Sequence, residues 1–264
     1  MTSDSAVPAR LITIPLSHFC EKARWALDRV ALPYREEPHA PLFHRLATKR
    51  KDRGTVPVMV DATRRFSDST EILVHADAVS GGGQLYPCDV ALRREVDVLE
   101  ERFDTELGPH TRRWAYSHLL PHPKLLRTLW QQNAPWLEAR LLPVVTPLAL
   151  QLVYAGYKIT PESAQRSLER VQSVFQQVDR QLSDGRPFLT GGRFSAADLT
   201  FAALAAPVLL PVECCAAQPT LESAPVAMRE EVLRFRNSNA GQFALRMFSE
   251  ERSRASATSH SQTP

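Results

Sequence analysis

The stretch Ser17-His18-Phe19-Cys20-Glu21-Lys22-Ala23-Arg24-Trp25-Ala26-Leu27 follows the apolar run Leu11-Ile12-Thr13-Ile14 and Pro15. It reads as strand, turn and helix, with Ser17 and Cys20 in the first helical turn. Backbone N–H groups point outward at such a helix start, and the helix dipole favours negative charge there. A thiolate in that position is stabilised and its pKa falls. Chemistry, if the chain carries any, is expected here.

Working outward, Phe19, Ala23, Ala26, Leu27 and Val30 recur at helical spacing, so 18–30 is an amphipathic helix that Leu32-Pro33 ends. Tyr34-Arg35-Glu36-Glu37 is a polar strand and Leu42 to Arg50 a short helix. Val56-Pro57-Val58-Met59-Val60 is a strand entered through proline, whose missing N–H keeps it out of a central ladder. Arg64-Arg65-Phe66 completes a hairpin, and Ser67-Asp68-Ser69-Thr70 caps a helix to about Val79. The order βαβαββα is a sheet with helices on its faces.

Beyond Pro87 the pattern is helical. Leu92, Val96, Leu99, Phe103 and Leu107 mark one face of a long helix that Gly108-Pro109 is expected to stop. Two or three helices follow to Tyr157, interrupted by Pro121, Pro123, Pro135, Pro143 and Pro147. The apolar stretch Leu141–Tyr157 is shorter than the ~20 residues a spanning helix needs, so a buried helix in a soluble domain is expected. Another helix starts at Pro161. Ser195 and Asp198 form a capping box before an almost wholly apolar helix that belongs at the core.

The chain has 264 residues, 44% apolar and 23% charged, with net charge +3. That length is enough for two domains or one large one, and the small net charge argues against a nucleic-acid partner. Cys20, Cys88, Cys214 and Cys215 have no metal-site spacing, so no metal is expected. Met1 to Arg10 lacks the apolar core of a signal peptide. Free thiols in a reducing cytoplasm are the simple reading, with no membrane partner.

Ser17-x-x-Cys20 at the first helix, Val56-Pro57 at the third strand and Asp68-Ser69 at the third helix together resemble the cytosolic glutathione S-transferase family. The phrase 17–24 is similar to that of omega- and zeta-type members, in a bacterial-type chain. The resemblance covers roughly residues 10–250. It implies an α/β thioredoxin-like N-terminal domain (10–83) that binds glutathione, a linker (84–90) and an all-α C-terminal domain (91–250). The Ser/Thr-rich segment 251–264 has little to bury and is expected to be a disordered tail.

By that resemblance, Ser17 donates a hydrogen bond to the sulfur of glutathione. A free thiol with a pKa of about 8.5 is mostly protonated at neutral pH, and such a bond favours the thiolate. Plain helix capping is the bland alternative for Ser17. Cys20 forms a mixed disulfide with glutathione or simply packs the helix, and His18 touches substrate or faces solvent. The Val56-Pro57 peptide is expected to be cis, with Val56 pairing its backbone with glutathione like an added strand. Asp68 and Ser69 bind the γ-glutamyl end or merely cap their helix. One of Lys49, Arg50, Lys51 and Arg53 meets the glycyl carboxylate, and Trp114 and Tyr116 line the electrophile pocket or pack the core.

The implied function is activation of the glutathione thiol for attack on an electrophilic small molecule, in a homodimer. Glutathione is co-substrate and no metal is involved. Two alternatives stand beside it: a thiol–disulfide oxidoreductase working through Cys20, and a non-catalytic glutathione-binding or interaction module.

Overall fold

The computed structural model describes residues 8–48, 54–62 and 64–255. Its first part contains β1 (Ala9–Thr13), α1 (His18–Arg29), β2 (Tyr34–Pro38), α2 (His44–Thr48), β3 (Val58–Val60), β4 (Arg65–Phe66) and α3 (Ser69–Val79). The sheet order is β2-β1-β3-β4, with β1 parallel to β2 and antiparallel to β3, and β3 antiparallel to β4. This is the expected thioredoxin-like arrangement. A helical part follows: α4 (Val90–Arg102), α5 (Gly108–Leu119), α6 (Pro123–Gln131), α7 (Trp136–Gly156), α8 (Pro161–Gln181), α9 (Ala196–Leu209), α10 (Val226–Arg236) and α11 (Asn239–Arg246).

All of α9 except Pro207 is buried, as its apolar sequence requires. Asp198 fixes its start: Oδ2 accepts from the Ser195 N–H at 2.8 Å and Oδ1 from the Leu189 N–H at 2.7 Å. Burial still pushes this carboxyl up to about 6.

Four expectations are corrected. Gly108-Pro109 does not stop the helical path: α4 runs through a π-helical turn, Phe103–Leu107, directly into α5. Pro109 falls in the first turn of α5, where no N–H is needed. Leu92 is 41% exposed, not inward. α1 is not amphipathic in place, since ten of its twelve residues are buried, Glu21, Lys22, Arg24 and Asp28 among them. These charges meet partners from both sides, as described below.

The fourth concerns the stretch 141–157, expected to be buried. It belongs to α7, of which only Leu142, Thr146 and Ala149 are buried, while Trp136 is 75% and Val144 78% exposed. Pro143 and Pro147 lie inside α7. An interior proline leaves the carbonyl four residues earlier without its partner. For Pro143 that carbonyl is Ala139 O, which accepts from Gln131 Nε2 at 3.0 Å. The proline face turns outward, and both Pro143 and Pro147 are exposed.

The segment expected to be a tail from 251 also begins later. A second π-helical turn spans Met247–Arg252, and Glu251, Arg252 and Ala255 are buried. The cause is on α1: Arg252 Nε reaches Glu21 at 2.8 Å and Nη1 reaches Asp28 at 2.7 Å. Phe248 stacks against Trp25 with ring centroids 4.9 Å apart. Residues 256–264 lie outside the described residues.

Candidate active site

β1 delivers the chain to Pro15, and the turn that follows is closed by the Ser17 N–H donating to Ile14 O at 3.0 Å. Ser17 caps α1, its Oγ accepting from the Cys20 N–H at 3.2 Å. That bond uses an oxygen lone pair and leaves the hydroxyl proton to donate. Ser17 is half-buried and lines a cleft of about 310 Å³. Pockets that hold small ligands start at about that size, roughly 300–1,000 Å³.

Val56 forms another wall of this cleft, just before β3, and its peptide bond to Pro57 is cis, as expected. Arg45 of α2 and Arg112 of α5 bring positive charge to the lining, which contains no Asp or Glu among the described residues. α7 closes the far side with Ala149, Leu152 and Val153. It is tied across the cleft by Glu138, which accepts from the Ala40 N–H at 2.8 Å and pairs with His39 at 2.6 Å.

His18 lines the cleft but is only 3% exposed. Its Nε2–H donates to Gly108 O at 2.9 Å, which makes Nδ1 the bare nitrogen. Burial, with Arg112 nearby, lowers its pKa to about 3, so it is neutral at physiological pH. A small apolar chamber of about 40 Å³ adjoins the cleft. Leu16, His18, Arg112 and Tyr116 belong to the walls of both.

The other candidates fall elsewhere. Cys20 is fully buried, and burial pushes its thiol up, outweighing the opposing effects of Arg24 and Ser17. Asp68 is exposed and caps α3 through Oδ1, which accepts from Thr70 and Glu71; Ser69 is buried beside it, and neither lines the cleft. Trp114 is core and borders a different cavity, whereas Tyr116 does line the cleft. Lys49, Arg50, Lys51 and Arg53 lie outside the described residues.

Two features escape a reading of the sequence. Arg112 sits in a run, Arg112-Arg113, that resembles a solvated helix face. Only the second arginine is committed elsewhere, to Tyr157 O at 2.9 Å and Ser167 Oγ at 3.0 Å. The other feature is a polar cluster behind α1. Lys22 Nζ meets Asp104 at 2.7 Å, Glu100 at 2.9 Å and Thr70 Oγ1 at 2.9 Å, and the Tyr86 hydroxyl donates to Glu100 at 2.8 Å. It joins α1 and α3 to α4 and so sets the angle between sheet and helices.

Comparison with known families finds that residues 11–82 match the glutathione S-transferase N-terminal domain and residues 161–208 the glutathione S-transferase C-terminal domain. The chain carries both the N-terminal and the C-terminal domain of the glutathione S-transferase family. No curated protein sequence matches it. Solved structures agree on the fold. Glutathione transferase F2 from Populus trichocarpa is 15% identical, TM-score 0.63, covering 96% of this chain and 100% of its own. The maize glutathione S-transferase I in complex with an atrazine–glutathione conjugate is 15% identical, TM-score 0.60, covering 97% and 100%. A glutathione transferase from Burkholderia graminis, with two glutathione molecules per subunit, is 17% identical, TM-score 0.60, covering 94% and 87%. These matches leave the omega- or zeta-type kinship an expectation.

Proposed function

We propose that this glutathione transferase conjugates glutathione to an electrophilic small molecule, with Ser17 holding the sulfur as thiolate. The observation that carries the reading is the cleft itself. It joins a helix-start hydroxyl with a free proton, the backbone of Val56 and two arginines, with no carboxylate among its described lining residues to repel an anion. The sulfur lone pair forms the S–C bond. In a substitution the leaving group departs with the electrons of its own bond, and the thiol proton has already passed to water. Val56 would pair with the cysteinyl backbone of glutathione, Pro57 shaping that wall from behind. Asp68 and Ser69, at the start of α3, would meet the γ-glutamyl end outside the closed part of the cleft. Tyr116 and the apolar chamber would take the electrophile. A homodimer in the cytoplasm belongs to the same reading; four unpaired cysteines support a reducing compartment, and light scattering checks the dimer.

An ultraviolet difference titration of glutathione tests the reading. The thiolate signal at neutral pH should vanish in Ser17→Ala, and kcat/KM should fall about a hundredfold. Cys20→Ser should leave both within a factor of two, because its buried, upshifted thiol is a poor nucleophile. Loss of turnover in Cys20→Ser with the signal intact would instead establish the thiol–disulfide reaction.

A further inference from the structure

Among the described residues, the lining of the cleft and of the chamber behind it contains no Asp or Glu, yet Arg112 stands in the wall shared by both. Its guanidinium carbon lies 4.4 Å from the centre of the Tyr157 ring and 5.7 Å from that of Phe19. Ring faces hold a guanidinium in place without neutralising it. Its Nε is buried and has no hydrogen-bond partner. A buried donor without an acceptor is costly, and a charged one more so. His18, beside it, is neutral and offers no competing charge.

Position separates Arg112 from the glutathione-facing groups. Ser17, Arg45 and Val56 line the cleft alone, whereas Arg112 also faces the apolar chamber formed with Ala115, Leu119 and Met228. Arg112 is thus the charged side chain shared by the two linings. The chamber, at about 40 Å³, has room for a small group only.

We infer that Arg112 selects the second substrate: the electrophile carries a carboxylate close to its reactive carbon, paired with Arg112, and a small apolar group that enters the chamber. This rests on the glutathione reading and names the substrate class for it. The planar guanidinium suits a carboxylate better than a lysine would, because it offers two parallel donors.

The test compares two conjugates of nearly equal length, S-(2-carboxyethyl)glutathione and S-propylglutathione, by calorimetric titration of the full chain, with glutathione alone as reference. The wild type should prefer the carboxylate conjugate by roughly tenfold to a hundredfold. In Arg112→Gln that ratio should collapse to about one, and in Arg112→Lys it should be partly restored, with thermal melts confirming that both variants fold. Equal affinities in the wild type overturn the proposal. So does a ratio unchanged in Arg112→Gln, or an equal loss of glutathione and both conjugates, which would make Arg112 a holder of glutathione itself. If neither glutathione nor either conjugate binds the wild type, the glutathione reading fails and the proposal falls with it.

Discussion

His18 is the most consequential single residue outside the proposed chemistry. It occupies the first position of α1, and its Nε2–H bonds to Gly108 O, joining the two halves of the molecule at the cleft. The folded state keeps the ring neutral to about pH 3, whereas the unfolded chain protonates it near 6.5. The stabilisation is therefore complete above pH 6.5 and is lost as pH falls towards 3, at up to about 1.4 kcal/mol per pH unit. His18→Gln keeps a donor for Gly108 and removes the titration. Urea unfolding between pH 4 and 7 should show the stability difference between wild type and variant shrinking as pH falls. A difference independent of pH would mean that His18 titrates alike in the folded and the unfolded chain. Proline is common at this place in the family's motif, and the sequence offered only contact with substrate or solvent for His18. It could not show the partner, because Gly108 lies ninety positions away.

At the scale of elements, the order of strands and helices was legible because each local signal agreed with the next: short apolar runs in β1 and β3, Asp68 and Ser195 as caps, an almost wholly apolar α9. The failures have physical causes. Gly108-Pro109 reads as a stop only while α4 keeps its ordinary register; the π-turn before it resets the count and places proline where it is tolerated. Charge on α1 suggested a wet face, yet Lys22 and Arg24 are matched by acids distant in sequence. Apolar α7 suggested burial, yet most of it faces outward over the cleft. α11 carries a sharper constraint. A Cβ on Gly241 would lie 1.9 Å from Phe235 O, a backbone atom that cannot swing away. Gly241→Ala should therefore destabilise the protein by about 3 kcal/mol, seen as a lowered urea midpoint at unchanged slope. A cost under 0.5 kcal/mol would mean that the α10–α11 corner is loose.

For the whole molecule, the decisive contacts run between sheet domain and helices. Ser17 and Val56 of the candidate site were legible as a set, since the motif residues and the cis proline belong to local sequence. The second-domain contribution was not, because which face of α5 or α7 turns to the cleft depends on how the domains dock. Three ties hold that docking: the Lys22 cluster, the bond from the loop before α2 to Glu138 of α7, and Arg252. Arg252 pairs with Glu21 and Asp28 while 1% exposed. Arg252→Ala leaves two acids under α1 without this partner and should cost about 3–5 kcal/mol. Thermal melts should show one transition shifted down. Two separate transitions would mean that the domains fold independently.

The Arg252 tie also has a bearing on how the chain is born. Glu21 and Arg252 are separated by 231 positions, and Asp28 and Arg252 by 224. At a synthesis rate of about 5–20 residues per second, the acids of α1 precede their partner by roughly ten to fifty seconds. During that interval a sheet domain that folds first on the ribosome carries Glu21 and Asp28 without Arg252. The tie is thus a seal set late upon a domain already made.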